Sequence, residues 1–207
     1  WANSRNWNPP FLPRFIDTVN IAPTALACIP VMPPELSFPS LAIMENGSLR
    51  ISGTDTVRGD ILINGALSVD SASAPEIVVD RHWGGTGSFY PGGSAVKFTR
   101  GLTHTVNEMV FHDLHIDTNN TGQPSNLHAT GNLSVTSSLQ ITGDLDMGDD
   151  TLFILNDLGD AIGGTGRIIA GTVNRLIRTD APNIRYRFEA DSTYIEFTDS
   201  SGIPGTV

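Results

Sequence analysis

Leu127, Leu133, Leu139 and Leu145 fall six residues apart, and each has a smaller or aliphatic partner two places on: Ala129, Val135, Ile141 and Met147. The next pair, Leu152 and Ile154, follows after a step of seven. This spacing excludes an amphipathic helix, which needs apolar residues at three- and four-residue intervals. Apolar residues at i and i+2 instead share one face of a short strand. The Gly, Asn, Ser and Asp between the pairs favour bends. The segment therefore predicts short strand, bend, short strand, with one dry face, and such units bury that face only by stacking on one another.

The unit recurs as Gly47-Ser48-Leu49-Arg50-Ile51 and Gly65-Ala66-Leu67-Ser68-Val69, and again at Gly131 to Val135 and Gly143 to Met147. Leu49 and Leu67 are eighteen residues apart, as are Ile51 and Val69. A coil of roughly 18–25 residues fits these returns. The expected fold is all-β: a parallel β-helix (β-solenoid), taken as right-handed. The alternative is an antiparallel β-sandwich, because Asn46-Gly47 and Asn64-Gly65 are also good hairpin turns.

Twenty-one Gly, thirteen Pro and 16% charged residues suit a turn-dense all-β chain of 207 residues. A net charge of −10 opposes a nucleic-acid partner, since no basic patch is present to release counterions. Basic residues gather only at Arg175, Arg178, Arg185 and Arg187. The single cysteine, Cys28, precludes an internal disulfide and sits in an apolar stretch as an inert thiol. No apolar run reaches membrane-spanning length. The chain opens on Trp1, as expected of a processed or excised piece.

Two regions are expected. Residues 1–40, rich in proline, form an extended segment or cap, because proline suits edges rather than central ladders. Residues 41–207 form the solenoid, with a Gly-rich excursion at 81–94 and two alternating strands at 184–198. Trp1, Trp7 and the prolines are a plausible plug for the first coil. No matching C-terminal cap is legible, so the chain is expected to continue into further modules or to meet copies of itself head to tail, building a filament.

The order of motifs resembles the β-helical modules of large secreted or cell-surface repeat proteins of Bacteroidota and related phyla, many of which pass through the type IX secretion system. The resemblance rests on Trp1, Asn6-Trp7 and Asp17-Thr18-Val19-Asn20-Ile21, on Leu41 to Ile43 with Gly47 to Ile51, and on "GGSAVKFTRG". It continues through "MVFHDLHID", where Asp113 stands in place of the family's Asn, to "GDLDMGDDTLFIL" and "GRIIAGTVNRLI". It implies a stalk or adhesin region, extracellular and without catalysis. Asp-Ser/Thr followed by an apolar residue or Thr also resembles the O-glycan acceptor site of that group, and it occurs at Thr18, Thr56, Ser71, Thr151 and Ser192.

Catalytic, metal and cofactor roles are not expected. His112 and His115 are three apart, the wrong spacing for one strand face, and zinc would need further N or S ligands. Asp144, Asp146, Asp149 and Asp150 read as a solvated acidic bend, lacking the fixed pattern of calcium-binding rolls. Both GGTG stretches, at 84–87 and 163–166, lack the Lys-Ser/Thr end of a phosphate loop and read as turns. A sugar-cleaving β-helix would need two carboxylates facing one another, and Asp60 with Asp70 is the best pair the sequence offers. Trp83 and Tyr90 are the candidates for stacking on surface carbohydrate.

Overall fold

The computed structural model describes residues 17–23, 29–70, 74–180, 182–190, 192–198 and 204. Its stacked sheets are parallel and form a β-solenoid of about 7 turns. Two compact units divide the chain, residues 1–95 and 96–207. Trp1, Trp7 and Cys28 lie outside the described residues.

In the first unit each coil has three sides. The first coil is β1 (Thr18–Ile21), β2 (Val31–Met32) and β3 (Ser37–Phe38), and the second is β4 (Ser40–Ile43), β5 (Ser48–Ile51) and β6 (Asp55–Val57). The third is β7 (Ile61–Ile63), β8 (Ala66–Val69) and β9 (Glu76–Val79), and β10 (Trp83–Gly84) with β11 (Ser88–Tyr90) opens a fourth. The sides stack in three sheets, β1-β4-β7-β10, β2-β5-β8-β11 and β3-β6-β9. The registers make continuous inner rows. Val19, Leu41, Ile61 and Trp83 form one, and Leu49, Leu67 and Phe89 another. All seven are buried, each side chain gaining about 1.5–3 kcal/mol from leaving water.

Two expectations are corrected here. The solenoid does not begin at residue 41: Thr18 already pairs with Ser40, and Val31 with Arg50, so β1 and β2 already belong to its stacked sheets. Nor is 81–94 an excursion, since β10 and β11 continue the sheets in register with β7 and β8. The sandwich alternative fails at its turns. Asn46-Gly47 and Asn64-Gly65 carry the chain from one sheet to the next, β4 to β5 and β7 to β8, rather than folding it back. Glycine is required at that corner because coil packs on coil through bare backbone. A Cβ on Gly65 would lie 2.2 Å from the carbonyl oxygen of Gly47, and one on Gly87 2.1 Å from that of Gly65.

After β12 (Ala95–Phe98), which spans the boundary, the second unit lengthens its strands. It contains β13 (Thr103–Val106), β14 (Met109–Ile116), β15 (Asn126–Ala129), β16 (Leu133–Ile141), β17 (Asp144–Asp146) and β18 (Thr151–Ile154). Then come β19 (Ile162–Gly163), β20 (Arg167–Ile169) and β21 (Thr172–Arg175). One sheet runs β13-β15-β17-β20 and the other β14-β16-β18-β21, with β19 also pairing β16. The leucine period is now explained. Leu127 stands on β15, Leu133 and Leu139 on the two halves of β16, and Leu145 returns on β17 in register with Leu127. Six residues make one side, three sides make one coil, and all four leucines are buried. Elsewhere the return stretches to twenty-five residues, between Leu114 and Leu139, because corners absorb insertions. One such insertion follows β14, where a Thr118–Pro124 bridge closes a loop. Asn119 Oδ1 braces it by accepting the amides of Thr121 and Gln123.

The last strands among the described residues are an antiparallel pair, β22 (Arg185–Arg187) and β23 (Tyr194–Glu196), as the alternation at 184–198 predicts. The pair lies against the outer edge of β20, a contact not legible in the sequence. Arg167 and Ile169 face the preceding coil through their backbone groups, leaving the Ile168 amide on the outer edge of β20. That amide donates to the Glu189 carbonyl at 2.9 Å. Arg187 donates to the carbonyls of Gly164 and Gly166. Ile177 and Tyr186 form a small core of their own with Ile184, Phe188 and Phe197. The hairpin covers an edge that would otherwise present unpaired groups.

Candidate functional site

Parallel coils turn every second side chain outward, so the chemistry of such a wall lies in its outer rows. On the second sheet of the first unit the outer row is Val31, Arg50, Ser68 and Tyr90. Tyr90 is 58% exposed and available for stacking. Trp83 is not. It is 1% exposed in the inner row, its indole edge-on to Phe89 at 4.8 Å, so its assignment to sugar stacking is corrected to core packing. Of the glycan acceptors, Thr18 and Ser192 are exposed, Thr56 and Thr151 half-buried, and Ser71 lies outside the described residues.

The acidic residues do not gather. Asp60 precedes β7 and Asp70 follows β8, at different corners of one coil rather than on adjacent coils. Asp60 Oδ1 accepts the His82 amide at 3.2 Å. Asp55 was not singled out by its sequence context, yet it is the most displaced carboxyl of the unit. It stands in an inner row opposite Ile77 and is 1% exposed. Its Oδ1 accepts the Leu36 amide at 2.9 Å, its Oδ2 is buried without a partner, and burial pushes its pKa up to about 6.

In the second unit the polar groups pair locally. His112 Nδ1 meets Asp113 Oδ2 at 2.9 Å beside the bulge in β14. Burial works against the charge on Asp113, but hydrogen bonds from Ser138, Ser137 and His112 outweigh it and hold the carboxyl below its usual range. Asp146 caps the Gly148 amide and takes a contact from His128 at 3.1 Å, which together hold it low as well. Asp144 pairs with Arg167 at 3.2 Å. No cluster of three or more His, Cys, Asp or Glu suited to a metal exists among the described residues. No helix among them is long and apolar enough to cross a membrane.

The arginines noted in the sequence belong to the cap. Arg175 occupies the inner row above Ile154 and is fully buried. Its guanidinium donates to the carbonyls of Arg187 and Leu158, both at 2.6 Å, and lies 5.0 Å from the centre of the Tyr186 ring. Burial lowers its pKa to about 10. Arg185 stays outside, paired with Glu196 at 2.9 Å and resting on Tyr194. Sequence reasoning missed this role because a buried arginine breaks the apolar pattern that marks an inner row.

Coils, inner rows and corner glycines together define a parallel β-solenoid. Beyond that class, comparison gives nothing: no protein family, curated protein or solved structure matches this chain.

Proposed function

We propose that this chain is a structural and adhesive module of a cell surface, a stiff spacer whose outer rows are free to vary. The observation that supports it is the contrast between the two faces. Inner rows such as Val19-Leu41-Ile61 keep their apolar character from coil to coil. The outer row Val31-Arg50-Ser68-Tyr90 keeps none. A wall selected for stiffness constrains only the first. The resemblance to secreted modules of Bacteroidota supports an extracellular address and O-glycans, with Thr18 and Ser192 as the accessible acceptors. Further modules of the same chain are its neighbours, and the hairpin opposes end-to-end contact between copies at the edge it covers. The test is proteolytic shaving of intact source cells, followed by mass analysis of what is released. Release of peptides from this chain is expected; full protection in intact cells, with digestion after lysis, overturns the reading. A native mass equal to the bare polypeptide removes the glycans from it.

Tyr90 favours a second reading, contact with surface carbohydrate, because its ring is exposed beside Ser68 and two rungs from Arg50. Glycan-array binding that survives Tyr90→Ala would dismiss it.

A further inference from the structure

The outer surface of the second unit is interrupted by a step. Two columns of outward side chains run up adjacent rungs: His115 and Gln140 in one, Asp117 and Thr142 in the other. On the third rung the first column stops, because Gly163 pairs with Gln140, and Gly164 then turns the corner with φ +87°. Gly164 packs its backbone so closely on Ile141 that a Cβ would meet the Ile141 carbonyl oxygen at 2.0 Å. The result is a groove of about 270 Å³, lined by His115, Asp117, Gln140, Thr142 and Gly164 and floored by the backbone of Ile116 and Ile141.

Its lining has a defined chemistry. The Gln140 amide folds down over Gly163: a Cβ there would lie 2.4 Å from Oε1 and 2.7 Å from Nε2. That amide makes no hydrogen bond within the described residues, so one donor group and one acceptor face the groove unspent. The Thr142 hydroxyl donates to the Ile116 carbonyl at 2.8 Å, which leaves its oxygen as an acceptor. Asp117 Oδ1 accepts the Thr118 amide at 2.7 Å, and its carboxylate adds acceptor capacity. No lysine or arginine lines the groove, and Lys97, in the outer row one rung below His115, stands outside the lining, so an anionic ligand seated in the groove would meet the Asp117 carboxylate first. A set of amide, carboxylate and hydroxyl, on rungs ~4.8 Å apart and beside the His115 ring, suits the neighbouring hydroxyls of one uncharged sugar ring. We infer that the groove at His115, Asp117, Gln140 and Thr142 is a binding subsite for a neutral saccharide. It is separate from Tyr90 and does not rest on the surface-module reading.

The experiment is an NMR titration of the isotope-labelled chain with glucose, galactose, mannose and N-acetylglucosamine, each alone, and with glucuronate as the charged control. At least one neutral sugar should shift the amides of Gln140, Thr142, Gly163 and Gly164 to saturation. Gln140→Ala, which leaves the wall intact, should weaken that binding about tenfold, the value of one or two hydrogen bonds. Gly163→Ala should weaken it as well, because the new methyl displaces the Gln140 amide. Glucuronate should bind less tightly than the neutral sugar and gain when Asp117→Asn removes the charge. The assignment is overturned if no neutral sugar gives saturable shifts there, if Gln140→Ala titrates like the parent, or if glucuronate is preferred.

Discussion

Asp55 illustrates how a single atom can make a stacked wall sensitive to pH. Its Oδ2 has no partner, and the folded carboxyl titrates near 6 against 3.8 for the free group. The folded state therefore binds more protons than the unfolded one between about pH 4 and 6, and stability falls as pH rises through that window. A shift of about two units corresponds to about 3 kcal/mol lost by pH 7. In thermal melts across this range Asp55→Asn should gain on the parent as pH rises; parallel curves would show that the carboxyl is solvated. Leu139 makes the complementary case. It stacks between Leu114 and Ile162 with no exposed surface. Leu139→Ala should cost about 2–5 kcal/mol through the cavity, and Leu139→Asp more, through an unpaired buried charge. A Leu139→Asp protein that melts within a degree or two of the parent would contradict the inward row.

Among the elements, the terminal hairpin is held by side-chain cations on backbone carbonyls rather than by a long ladder. Arg187→Met keeps much of the apolar stem but abandons the carbonyls of Gly164 and Gly166, a loss of about 2–4 kcal/mol. Hydrogen exchange should register it first at the Ile168 amide, which the hairpin covers, while the Leu127–Leu145 region keeps its protection; unchanged exchange at Ile168 would mean the cap is held otherwise. This element also marks the limit of what the residues announce in advance. The leucine period was legible because a side of six residues repeats without insertion between Leu127 and Leu145. The second coil was legible from Gly47 and Gly65, since a corner of bare backbone demands glycine. The cap was not, because "STYIEF" alternates like any strand and Arg175 reads as a surface charge until Tyr186 is seen beneath it. Trp83 misled for the opposite reason. Its glycine-rich surroundings suggested a loop, whereas those glycines repeat the corner already used at Gly47 and Gly65. Of the groove, nothing was legible except its turn, because Gln140 and Gly163 become neighbours only through the register of β16 with β19.

For the chain as an assembling body, the decisive question is whether its edges can meet those of another copy. With the hairpin in place, the edge of β20 is covered, and the intact chain should sediment as a single species over a wide concentration range. Removing residues 183–198 uncovers that edge, and the shortened chain should associate more strongly as concentration rises. Taking residues 1–21 away as well, and β1 with them, should reverse the association if copies join head to tail. Association of the intact chain, or of the double deletion, would refute that arrangement.

The loop closed by the Thr118–Pro124 bridge has one more implication. Its ends are fixed by the bridge and by Asn119, and the tip at Gly122 faces open space. Lengthening a closed loop costs only about 0.6 kcal/mol per doubling. Foreign peptide inserted at Gly122 should therefore leave the melting temperature nearly unchanged while standing clear of the wall. The chain carries, ready made, a socket for display.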